Sequence, residues 1–96
     1  MKRVAVMSIT KLFEDGIRKA ECHVAMGHDR LARQRELIER LARDGHVNML
    51  SEARRLLQEM ERLQREMEQH LVDQRRMADD LRKHARLDAR APKPDG

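Results

Sequence analysis

Donor atoms that can hold a metal gather early in the chain, on Cys22, His23 and His28, with Met26 close by. Ligands on one helical face need separations of three or four residues. Cys22 and His23 are adjacent, and His23 and His28 are five apart. Cys22 and Met26 do share a face, and both are soft, but two such groups make a thin site. His70 is more informative. Apolar periodicity places it inside a helix–helix seam opposite Val24, with His23 beside the same layer and Asp73 near enough to orient one ring. The leading expectation is a polar core layer of His70, Gln34 and Gln74 that fixes register, as polar seam residues can. A His23/His70 metal or ligand sensor is the sharper alternative, although two imidazoles leave a zinc shell incomplete. A pH-responsive pair is the third reading.

No catalytic set stands out. Ser8, Thr10 and Ser51 fall near expected helix ends, where capping is their ordinary use. Gly16, Gly27, Gly45 and Gly96 are scattered and build no phosphate loop. The expectation is therefore a protein that is not an enzyme, with no cofactor and no metal.

The elements that would position these residues are two long helices. In the first stretch Ile17, Val24, Leu31 and Ile38 recur every seven residues, with Ala20, Gly27, Gln34 and Leu41 as companions. In the second, Ala53, Met60, Met67, Gln74 and Leu81 form one line, and Leu56, Leu63, His70, Met77 and His84 the other. Asp44-Gly45-His46 is the one strong turn. The predicted order is a single domain over 1–88, with helix one at about 8–44, a turn at 45–48 and helix two at about 49–87. A disordered tail over 89–96 follows. Ser8 or Thr10 should cap the first helix and Asn48 or Ser51 the second. A turn centred on Val47 makes facing numbers total about 94, so Gly27 should clear space for Met67. Acid-to-base pairs such as Glu14–Arg18, Asp29–Arg33 and Glu61–Arg65 should line the solvated faces.

The bulk numbers agree with all-α architecture. The chain has 96 residues, of which 40% are charged and only Phe13 is aromatic, a balance typical of long helices. The net charge of +4 sits mostly at the ends: residues 1–7 carry +2 and 49–88 carry zero. A nucleic-acid surface would concentrate its cations, so such a partner is not favoured. The longest apolar run, Val4 to Met7, is far too short for a membrane span or a signal peptide. The lone Cys22 supports no disulfide framework. Together these predict a cytoplasmic protein.

The segment His23-Val24-Ala25, Gly27, Leu31 to Glu36, Ile38, Leu41 and Asp44-Gly45-His46 resembles an uncharacterised family of small bacterial helical-hairpin proteins. Ala53, Leu56-Leu57, His70 and Asp73 extend the likeness. Val47 to Leu50 depart from it, replacing a shorter polar cap. The resemblance implies a hairpin and no mechanism.

The expected function is a helical interaction or oligomerisation module. Its partner is a second copy or another helical protein. A weak nucleic-acid-associated protein using the basic ends is the alternative. Leu57, Leu71, Ala78 and Ala85 make a second apolar stripe beside the predicted seam, with Leu37 left over on the other flank. A three-residue apolar face per two turns is what bundle helices show. Two hairpins meeting along that stripe would form a dimeric four-helix bundle.

Overall fold

The protein is described here by a computed structural model, in which the backbone is placed for residues 2–90 and side chains for 9–85. It is an all-α antiparallel hairpin of α1 (Lys2–Arg43) and α2 (Val47–Arg90). Helix one starts earlier than predicted, so Ser8 and Thr10 lie within it rather than capping it. No Gly or Pro precedes Gly16 to stop the helix. Of the predicted tail, Ala89 and Arg90 continue α2, and 91–96 lie outside the described residues.

The connection is three residues long. Gly45 takes φ 73°, a left-handed conformation that costs other residues about 1–2 kcal/mol. The His46 amide donates to the Leu41 carbonyl at 3.1 Å and the Gly45 amide to that of Ala42 at 3.4 Å. This is a Schellman arrangement, which uses up carbonyls the helix end leaves free. The His46 carbonyl then accepts from the Leu50 amide at 2.8 Å. His46 therefore opens α2 as its cap, and Asn48 and Ser51 sit inside the helix.

This tight turn corrects the predicted register. Its centre lies at Gly45–His46 rather than Val47, so facing numbers total about 91, as Gly27 and Gln64 do. A shift of three turns α2 by one seam line. Helix one packs through the predicted residues, with Leu31, Leu41 and Gly27 buried and Ile17, Val24, Gln34 and Ile38 partly so. Helix two instead uses Ala53, Met60, Met67 and Gln74 together with Leu57, Gln64, Leu71 and Ala78. Leu71 is 6% exposed and Gln64 4%, whereas Leu56 and Leu63 are 52% and 51% exposed. The second line of the predicted seam is thus on the outside, and the stripe expected to be spare is the seam.

Two glutamines join the helices reciprocally. Gln34 of α1 donates its Nε2 to the Ala53 carbonyl, and Gln64 of α2 donates its Nε2 to the Val24 carbonyl, both at 2.9 Å. A Cβ on Gly27 would collide with the Gln64 carboxamide. Gly27 clears space as expected, but for Gln64 rather than Met67.

Candidate interaction face

The rotation of α2 relocates each residue singled out above. His70 is exposed, as is His23. Neither belongs to a buried layer, because the seam line through 56, 63 and 70 has turned outward. Gln34 and Gln74 lie half-buried at separate levels of the seam and Gln64 is buried between them, while His70 is outside. Gln64 shares a heptad position with Leu57 and Leu71 in the apolar stripe, and that position is the signal in the sequence for its burial. The Gln74 Oε1 is buried without a hydrogen-bond partner.

Leu57, Leu71 and Ala78 are covered by α1 and cannot serve as the dimer interface first assigned to them. Ala85 is exposed, and Leu37 is 37% exposed. The exposed Cys22 Sγ lies 4.0 Å from Met26 Sδ. Among the described residues no group of three or more His, Cys, Asp or Glu side chains could hold a metal ion. No described helix is long and apolar enough to cross a membrane. The side chains of Lys2, Arg3, Arg90 and Lys93, the basic ends of the nucleic-acid reading, lie outside the described residues.

The hairpin has two broad faces, and they differ in chemistry. On one, polar pairs cross from helix to helix: the ion pairs Glu14–Arg82 at 3.6 Å and Glu21–Arg75 at 3.3 Å, and a contact of 3.1 Å between His28 Nε2 and Glu68 Oε1. These steps of seven residues form a ladder. The Gln64 Nε2 also approaches Glu68 Oε1 at 3.5 Å, tying this face to the seam. None of the predicted pairs such as Glu14–Arg18 or Glu61–Arg65 forms. Glu14 reaches across to Arg82 instead, and among the described residues the pairs within α2 are Arg62 with Glu59 and Glu66, and Arg82 with Asp79. The hydrogen bond from Arg62 to Glu59, with the charges of Glu59 and Glu66, raises the pKa of Arg62.

The opposite face is apolar along its centre. A cleft of about 500 Å³ runs between the helices, lined by Ala20, His23, Leu63, Met67, His70 and Gln74 among others. Steps of seven residues from Leu63 and His70 reach Met49, Leu56 and Met77 on the same line. Steps from Lys19 and His23, which line the same cleft, reach Leu12, Met26, Ile9 and Leu37. All seven of these apolar side chains are among the exposed large hydrophobic residues. Of the others, Val72 lies against the ionic face, Val47 is at the turn, and Leu81 is far along the seam.

No family model, curated protein or solved structure matches this chain.

The face itself therefore carries the functional reading. The patch is contiguous and bordered by charge. The polar residues of the cleft, Lys19, His23, Glu66, His70 and Gln74, stand around an apolar floor of Ala20, Leu63 and Met67.

Proposed function

We propose that the protein is a non-enzymatic helical interaction module, and that it binds through the face carrying Leu56, Leu63, Met77, Met26 and Leu37. One observation supports this above the rest: eight of the eleven exposed large apolar residues lie on one broad face, Val47, Val72 and Leu81 being the exceptions, while the polar pairs between the helices occupy the other. A hairpin that needed only to be soluble would have no reason to sort them. Burial of one leucine contributes roughly 1.5–3 kcal/mol, so a partner helix laid along this face gains from several at once. This reading replaces the stripe of Leu57, Leu71 and Ala78, which α1 already covers.

Capture of protein partners by the immobilised chain tests the proposal, at low salt and at about 1 M, where charges are screened within about 3 Å. Binding through apolar contact should survive the salt and be lost in Leu56→Glu/Leu63→Glu. Both positions are exposed, so that variant should stay helical. Capture that disappears with salt, or that the double variant leaves intact, would overturn the assignment. Parallel titration with duplex and single-stranded DNA separates the nucleic-acid alternative, whose affinity should fall steeply with salt.

A further inference from the structure

We infer that the occupant of the apolar face is a second copy of this chain, arranged so that α1 of each copy lies on α2 of the other and both turns are at the same end. The inference rests on the interaction-face reading above and deepens it. Its basis is the charge along the two edges of the face. The outer edge on α2 is acidic at every seventh residue: Glu52, Glu59, Glu66, Asp73 and Asp80, all exposed. The outer edge on α1 reads Leu12, Lys19, Met26, Arg33 and Arg40, with three cations and no acid.

Two hairpins packed face to face can be related by a two-fold axis in either of two directions. An axis across the helices stacks α2 on α2 and sets the acidic edge against itself. An axis along the helices stacks α1 on α2 and sets the basic edge against the acidic one. Like charges brought together oppose association, and opposite charges select the partner orientation. The second arrangement is therefore the one this face favours.

Heights along the rod make the match specific. Rotation about the long axis leaves each residue's height unchanged. Residues at one height have numbers totalling about 91, so Lys19 is level with 72, Arg33 with 58 and Arg40 with 51. The acids Asp73, Glu59 and Glu52 each lie one residue from those levels, about 1.5 Å along a helix. All three cations thus meet an acid of the second copy without any slide. Lys19, Arg33 and Arg40 make no ion pair among the described residues. Glu59 and Glu66 are held by the exposed Arg62 of their own helix, and Asp73 accepts from Gln69 at 3.0 Å. Such exposed pairs are weak, so these acids are free to turn to a second partner.

The area also suits a second copy. From Met49 to Met77 the face runs about 42 Å at 1.5 Å per residue, and two helices make it about 20 Å wide. That gives about 800 Å² per copy, the amount a specific interface buries. The central line of Leu56, Leu63 and Met77 then lies over Leu37, Arg30 and Gly16 of the other copy.

Sedimentation equilibrium and a distance measurement decide the matter on the full chain. A spin label on Cys22→Ala/Val47→Cys reports where the two turns lie, since Val47 is 73% exposed. The expected result is a dimer with labels within about 35 Å of each other. The crosswise axis, passing through the middle of the face near Leu63, would separate them by about 50 Å. Reversing Lys19→Glu/Arg33→Glu should weaken the dimer about tenfold or more at low salt. Adding Glu59→Arg/Asp73→Arg should restore it, which no general loss of stability would do. A dimer with distant turns, or one indifferent to both charge sets, would overturn the arrangement. A chain that remains monomeric at high micromolar concentration would overturn the second copy as occupant. The interaction face would still stand in that case if Leu56→Glu/Leu63→Glu abolished the salt-resistant capture of another protein, and would fall with it otherwise.

Discussion

Gly27 and Gln64 are two halves of one contact, and neither can be understood alone. A glycine inside a helix costs roughly 1 kcal/mol against alanine, so Gly27→Ala should stabilise α1 if nothing opposed it. Here the added methyl meets the Gln64 carboxamide, whose Nε2 is committed to the Val24 carbonyl. Gly27→Ala is therefore expected to destabilise the hairpin by about 1–2 kcal/mol through overpacking. In a Gln64→Ala background the same change should become neutral or stabilising. Chemical denaturation of the four chains measures the coupling, and additive effects would show that the two do not interact. Gln74 presents the opposite case. Its Oε1 is buried without a partner, and an unmet buried acceptor costs about 1–3 kcal/mol. Gln74→Leu should raise the melting temperature, while Gln64→Leu, which breaks a bond already made, should lower it. Equal and opposite outcomes would reverse these assignments.

At the scale of the helices, the sequence shows α1's buried side and leaves that of α2 ambiguous. The lines through Ile17 and Ala20 are apolar or small apart from Gln34, and the lines flanking them carry Glu14, Glu21, His28, His23 and Arg30, so these two lines are the ones to bury. Helix two has apolar residues on three adjacent lines, through Ala53, Leu56 and Leu57, and periodicity cannot say which pair faces α1. The turn decides it. An αL glycine followed by immediate entry into α2 moves residues 47 and 48 from the predicted turn into the helix, and the three-unit shift carries His70 outside. That geometry depends on backbone hydrogen bonds at His46 and Leu50, which no side-chain pattern announces. Gly45→Ala should cost about 1–2 kcal/mol from its φ of 73°, without altering the register. Cysteines at Ile38 and Ala53 in a Cys22→Ala chain should cross-link under oxidation, whereas a pair at Ile38 and Leu56 should not. Preferred linkage of the latter pair would restore the total of 94.

As a whole the molecule is a rod of 79 × 17 × 13 Å, and its three-residue turn also sets the order of events in time. Leu41 and Leu50 are brought together by closing a loop of a few residues. Phe13 and Ala78, at the far end of the seam, are separated by most of the chain. Loop closure grows costlier with length, so contacts near Gly45 should form first and the seam should close toward the open end like a zip. Native-state hydrogen exchange should then show amide protection highest around Leu41 and Ala53 and falling steadily toward Phe13 and Ala78. Uniform protection along both helices would mean that the rod opens only as a unit. In rate measurements, Gly45→Ala should slow folding, whereas Ala78→Gly should chiefly hasten unfolding. The turn that determines which face of α2 is buried thus also determines where the two helices first meet and which end parts first.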